Sequence, residues 1–213
     1  MVTKEDLDRI HNAVPVDYYE RGIKKNLLQR YWHHRRFKII TKEIKKLRLT
    51  GTILDLGCHS GDLTNVVQAA SGCPVIGVDI SGSAIEYAKS RFPHIQFVRA
   101  DFPADKLFSD DYFIAATCFD VMEHLPDTKA VLAEVKRLLK PGGYFIIAIP
   151  NENWLFKIVW WFWLKWKGQV WEDVHVHDFK KEGFGIFLDA GFKQVTSKKI
   201  IFNMWHFIIF QAD

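Results

Sequence analysis

Cysteine is scarce. The 213 residues hold 3, Cys58, Cys73 and Cys118, an odd number without CxxC spacing, so no disulfide framework or metal staple is written into the chain. With 7 Pro and 13 Gly, collagen-like and low-complexity architectures are excluded, and no internal repeat or linker interrupts the sequence. The opening MVTKEDLDRI lacks the apolar core of a signal peptide, which sets the expectation of a reducing, cytoplasmic location. What remains is 48% hydrophobic and 25% charged, the profile of one globular domain, or one domain with an appendage. A chain of this length buries roughly 70% of its unfolded surface, enough for a core without covalent help.

Charge is unevenly placed. Residues 1–50 carry 13 Lys or Arg against 6 Asp or Glu, whereas the other 163 carry 16 against 19, so the net +4 is N-terminal in origin. A basic arm can meet nucleic acid, an anionic membrane or an acidic substrate; the alternative is a solvated helix face. Within it, residues 18–49 contain no Pro, and Leu28, Trp32, Ile39, Ile40, Ile44 and Leu47 recur at helical spacing, predicting one or two amphipathic helices.

From Thr52 the texture changes to short Val- and Ile-rich runs, several followed by helical patterns: TILDLG, PVIGVDI, HIQFVRAD, DYFIAATC and GYFIIAIP. Strands apolar on both faces and alternating with helices predict a parallel sheet covered on two sides. After the fourth strand a helix carries the stripe Val131, Leu132, Val135, Leu138 and Leu139, with Pro126 suiting its first turn and Pro141-Gly142-Gly143 ending it. A further helix is expected near 180–190, stopping at Gly191, then strands near 193–202 and 204–211.

The segment ILDLGCHSGDLT runs an apolar strand into Asp55, Gly57 and Gly61 and then into a helix. Such a turn lets the backbone approach a nucleotide cofactor with helix-start amides facing it, although glycine also serves packing alone at such turns. Asp79 ends the second strand, where an acid can accept from both ribose hydroxyls, and Asp101 follows the third, within reach of an adenine amino group. Three acids at the carboxyl ends of consecutive strands converge on the crevice where open parallel sheets bind ligands.

Through ILDLGCHSG, VIGVDIS, VRADF, FDVMEHLPD, LLKPGGYFIIAIPN and HVHDF with LDAGF, the chain resembles the class I S-adenosylmethionine-dependent methyltransferases, in particular the ubiquinone-biosynthesis-type O-methyltransferases. The resemblance implies an α/β doubly wound, mostly parallel seven-stranded sheet of Rossmann-like methyltransferase fold, its last two strands a hairpin. It implies residues 1–50 as a helical arm that closes over the cofactor, 51–213 as the methyltransferase domain, and an aromatic acceptor-side insertion at 151–176. Carried over residue by residue, S-adenosylmethionine would be held by Asp55, Gly57, Cys58 and Gly61 at its methionine part. Asp79 and Ile80 would take the ribose, Asp101 and Phe102 the adenine, and Cys118-Phe119 would run past the cofactor. One departure is His59, which stands where the family often has a third glycine. Tyr18, Tyr19, Arg30 and Trp32 are the candidates for the lid.

Methyl transfer from a sulfonium is an in-line displacement, so alignment carries most of the catalysis, and a base is required only where the acceptor bears a proton. Candidate bases are His124, expected on the acceptor side of the crevice, and His177, two residues after His175. Asp120, Glu123 and His124 match a pattern by which some ubiquinone-type relatives hold a divalent metal; no metal is assigned here, because two acids and a histidine close in sequence are common without one.

The insertion reads WLFKIVWWFWLKW, and 6 of the 8 Trp fall between Trp154 and Trp171. Thirteen helical residues span about 20 Å, too short for a bilayer core. Such a helix covers a hydrophobic pocket, lies in a membrane interface with its lysines snorkelling, or completes the core or a dimer contact. The reading is therefore methyl transfer from S-adenosylmethionine to a small hydrophobic or lipid-like acceptor, most simply to oxygen. It carries peripheral membrane contact through the Trp154–Trp171 segment and expects no nucleic acid. A nicotinamide-dependent dehydrogenase would read GxGxxG where this chain reads GCHSG. The other alternative is a non-catalytic module that contacts RNA or a membrane through the basic arm.

Overall fold

The basic arm breaks at Asn26, whose side chain accepts hydrogen bonds from the amides of Leu28 (2.9 Å) and Gln29 (3.2 Å) and so caps a new helix. Two helices result, α1 (Tyr18–Lys25) and α2 (Leu27–Leu47). The computed structural model describes residues 15–151, 153–158, 161, 179 and 183–213. Ile40 and Ile44 of α2 are buried as their spacing predicts, but Leu28 is 62% exposed.

The remaining elements alternate as the apolar runs predict: β1 (Ile53–Leu56), α3 (Asp62–Ser71), β2 (Val75–Asp79), α4 (Gly82–Arg91), β3 (Gln96–Arg99) and β4 (Phe113–Phe119). A 3-10 turn at Met122–His124, α5 (Thr128–Leu138), β5 (Leu139–Pro150), α6 (Gly185–Asp189), β6 (Phe192–Ile200) and β7 (Trp205–Ala212) follow. The seven strands are ordered β3-β2-β1-β4-β5-β7-β6. All neighbours are parallel except β5–β7 and β6–β7, so the sheet is the mostly parallel, doubly wound one with a closing hairpin.

Strand alternation distributes the core to both faces. Phe145, Ile147, Ile208 and Phe210 pack with α5 and α6 on one side, while Ile146, Ala148, Phe207 and Ile209 pack with α2 and α3 on the other. Three boundaries differ from the sequence expectation. Helix α5 is capped by Asp127, whose carboxylate accepts from the amide of Ala130 (2.9 Å), leaving Pro126 just before the cap. Pro141-Gly142-Gly143 does not separate helix from strand. It bulges within β5, whose pairing with β4 jumps from Phe113–Leu139 to Ala115–Tyr144. The expected helix near 180–190 is described only as the single turn Gly185–Asp189. Among the described residues, no helix is long and apolar enough to cross a membrane.

Candidate functional site

A cleft opens at the carboxyl end of β1, where parallel sheets present loops and helix starts. Its floor is the turn from β1 to α3, including Gly57, Cys58, His59 and Ser60; its wall is Phe119 and Asp120 after β4; its roof is Ile23 of α1 and His33, Arg36 and Phe37 of α2. Helices α1 and α2 thus contribute Ile23, His33, Arg36 and Phe37 to the cleft, and not the side chains named from the sequence. Arg30 instead donates to the carbonyls of Ile23 (3.0 Å) and Lys24 (2.9 Å), splinting the break between the helices. Trp32 packs against the core, the Tyr19 side chain is outside the described residues, and Tyr18 does not line the cleft.

The glycines have steric reasons. Gly57 has φ 70°, and a Cβ there would stand 2.3 Å from Val121 Cγ2; Gly61 has φ 78°, and a Cβ would meet the Phe97 ring at 2.8 Å. His59, in place of a third glycine, is itself in the left-handed region at φ 42°. That conformation costs a non-glycine residue about 1 kcal/mol. It is held by the His59 amide, which donates to Asp79 Oδ2 at 2.9 Å.

The other oxygen of Asp79 accepts from the Ser81 amide at 2.8 Å, so this carboxylate ties the glycine turn to the end of β2. Each oxygen keeps a second lone pair for a ligand hydroxyl. Asp55 is 2% exposed and sits between Thr64 Oγ1 and Thr117 Oγ1, both 2.6 Å away. Burial, reinforced by Asp79, pushes its carboxyl up to about 6 against the pull of the two hydroxyls. On the roof, burial and then the charge of Arg36 lower the His33 imidazole to about 3, so it is neutral at physiological pH.

Not every sequence candidate reaches this cleft. Ile80 follows Asp79, and its carbonyl accepts from Arg99 Nε at 3.1 Å. Cys118 is fully buried in the core, and the next two residues, Phe119 and Asp120, line the cleft instead. Asp101 and Phe102 follow β3, two strands from β1, and stand outside the lining; the Asp101 amide donates to Asp105 Oδ2 at 2.8 Å. His124, expected to line the crevice, is buried in the 3-10 turn at 6% exposure and is not part of the lining. His175 and His177 lie outside the described residues.

Asp120 does not assemble with Glu123 and His124 as a metal ligand. One of its oxygens is taken by the Arg36 guanidinium and the other by Trp205 Nε1. Among the described residues no group of three His, Cys, Asp or Glu side chains stands close enough to hold a metal ion. Arg36 and His33 were missed by sequence reasoning, which had only a basic helix to go on; two polar side chains one turn apart on the face that carries Ile40 and Ile44 were the available signal. Arg36 is 4% exposed, and its Nε has no hydrogen-bond partner among the described residues. An anion such as a carboxylate answers that donor.

Of the insertion, residues 154–158 are helical, capped by Asn153 Oδ1 accepting from the Phe156 amide at 2.8 Å. Phe156 is buried, but Trp154 is 73% exposed, Ile158 47% and Trp161 51%. Phe202 at the β6–β7 turn, 71% exposed, adjoins them, its carbonyl accepting from Asn153 Nδ2 at 2.9 Å. The rest of the tryptophan-rich stretch is outside the described residues.

A family model described as a methyltransferase domain matches residues 29–196. The ubiquinone biosynthesis O-methyltransferase of Thiobacillus denitrificans is 30% identical over 156 residues, covering 65% of this chain and 65% of that protein. The protein of the same name from Nitrosomonas europaea is 30% identical over 106 residues, covering 48% of this chain and 45% of its own length. The chain thus spans less than two thirds of these relatives. Among solved structures, a methyltransferase of Haloferax volcanii in complex with the Trm112 activator superposes with a TM-score of 0.68 at 18% identity, covering 96% of this chain and 98% of that one. At that identity the likeness concerns the fold alone.

Proposed function

The chain belongs to the methyltransferase domain family, with S-adenosylmethionine as its cofactor, and from that premise we propose that it methylates a small hydrophobic or lipid-like acceptor on oxygen. The observation that carries the cofactor reading is the roofed glycine turn laced to Asp79 through the His59 amide. In this reading Asp79 takes the ribose hydroxyls. The amino-acid end of the cofactor lies between the turn and the roof, its carboxylate at Arg36 and its cationic end near Asp55. Ile80, Asp101 and Phe102 complete the site toward adenine, while Gly57, Cys58, Gly61 and the backbone at Cys118 line the path. Residues 1–50 act as the lid of the 51–213 domain.

Thermal-shift titration tests this with S-adenosylmethionine, its demethylated product and NAD. A ligand at 100 times its dissociation constant adds about 2.7 kcal/mol to stability. A shift with the first two and none with NAD is expected; a shift with NAD alone overturns the reading.

The acceptor reading rests on the exposed Trp154, Ile158, Trp161 and Phe202, a hydrophobic rim beside the sheet edge that ends β5. Such a rim suits an apolar substrate drawn from a membrane surface, with the basic arm facing anionic headgroups. Co-sedimentation with anionic liposomes at low salt is expected; none at all counts against the membrane part. If the acceptor is a hydroxyl, His124 or His177 is the general base, and unchanged turnover in both His124→Ala and His177→Ala removes that assignment.

A further inference from the structure

Buried guanidinium groups need a counter-ion and a fixed geometry, and the roof of the cleft gives Arg36 both through one unusual arrangement. Asp120, the first residue after β4, has a left-handed backbone at φ 55°, anchored by its amide donating to the Ala148 carbonyl at 2.7 Å. This turns its carboxylate toward α2, where one oxygen receives Arg36. The other receives Trp205 Nε1 at 2.7 Å. The same indole lies under Arg36, with the guanidinium carbon 4.8 Å from its ring centroid. Trp205 is 1% exposed at the start of β7, paired with Pro150 at the end of β5. One rigid side chain thus grips both members of an ion pair, the acid by its edge and the cation by its face.

We propose that Trp205 and Asp120 are positioning residues that hold Arg36 over the glycine turn for the carboxylate of the cofactor's amino-acid portion. This rests on the cofactor reading above and extends it to the far strand of the sheet. Neither residue touches the cofactor in this scheme. Asp120 keeps the buried cation neutralised, and Trp205 fixes where that cation stands. The Nε of Arg36, without a partner among the described residues, is the donor left for the ligand. The clamp also joins the lid helix to β7, so the lid is registered on the sheet by the residue that later meets the cofactor.

The test separates the amino-acid portion from the nucleoside. Calorimetric dissociation constants are measured for S-adenosylhomocysteine, which carries the carboxylate, and for methylthioadenosine, which lacks it. Trp205→Phe retains a buried ring and removes the N–H donor, so folding is preserved. It is expected to weaken S-adenosylhomocysteine about 5- to 20-fold, the scale of one charge-assisted hydrogen bond disturbed, and methylthioadenosine less than about 2-fold. Arg36→Ala should show the same selectivity, larger. In the Arg36→Ala background Trp205→Phe should have no further effect on S-adenosylhomocysteine, because its only route to the ligand is gone. Equal weakening of both ligands by Trp205→Phe, or a loss that persists without Arg36, overturns the proposal and makes Trp205 a packing residue. Arg36→Ala without selectivity fails the cofactor reading at that position instead, and the proposal with it.

Discussion

The sheet ends differently on its two sides of β4. At β1 and β2 the chain turns through residues whose conformations are locked by neighbours: Gly57 against Val121, His59 against Asp79, Gly61 against the Phe97 ring. At β5 and β7 the polypeptide leaves the sheet through exposed apolar residues, Trp154, Ile158, Trp161 and Phe202. In the proposed function the locked backbone meets the constant cofactor with its amides, and the exposed apolar rim meets the acceptor. The contrast is what an enzyme needs when its cofactor is constant and its acceptor is particular to its family branch.

The comparison breaks most visibly at Asp79. Its replacement by Ala removes the acceptor for two loop amides and, in the proposed site, for two ribose hydroxyls, so cofactor affinity should fall at least about 100-fold, nearly 3 kcal/mol, by calorimetry. Gly57→Ala comes next. A Cβ 2.3 Å from Val121, on a backbone at φ 70°, should cost about 2 kcal/mol of stability and at least tenfold in affinity.

A third expectation concerns pH. Burial pushes the Asp55 carboxyl up to about 6, and in the proposed site a cationic ligand end favours its ionised form, so a proton would compete with the cofactor. Affinity should be flat above about pH 7 and fall toward tenfold per unit below 6, and Asp55→Asn should flatten the profile. The same shift opposes stability. The unfolded carboxyl ionises near 3.8 and the folded one near 6, so stability drops as pH rises through that window.

A smaller effect is expected at α1, the proposed lid. Glu20 of α1 accepts from Tyr87 Oη at 2.6 Å and lies 3.6 Å from Arg91 of α4, which itself pairs with Asp62 at 2.8 Å. Hydrogen bonds from Lys24 and Tyr87, with Arg91 beside them, hold its carboxyl down near 2. This latch is intact above the ordinary value of 4.5 and is lost as pH falls through 2. Glu20→Gln should raise the cofactor off-rate about 2- to 5-fold in stopped flow, as expected for a partly exposed ion pair. Least of all, Trp154→Ala and Phe202→Ala should leave cofactor affinity within about 2-fold, since neither touches the locked half. A larger loss in either would erase the distinction between the two halves.

Much of the first half is legible in the sequence. The strand-glycine-helix text around Gly57 and Gly61 and the acid ending β2 are local patterns with local causes, and the continuous apolar runs of β5 and β7 declare a sheet buried on both faces. Less legible was what each residue faces. Arg30 and Arg36 stand six residues apart on one helix, yet the first splints a helix break and the second enters the cleft. Cys118 and Asp120 are two residues apart, and only the second lines the cleft, because the chain has left β4 and turned at a left-handed residue.

The sequence by itself determined the strand and helix order and the glycine turn, because these follow from periodicity and from backbone conformations that few residues tolerate, while the family was carried by the resemblance of its motifs. The roof of the cleft, the use of Asp120 as partner to Arg36 and Trp205, and the raised pKa of Asp55 were decided only by the tertiary structure. Each depends on groups brought together from α2, β4 and β7 or from β1, α3 and β4, and on a burial that no local pattern encodes.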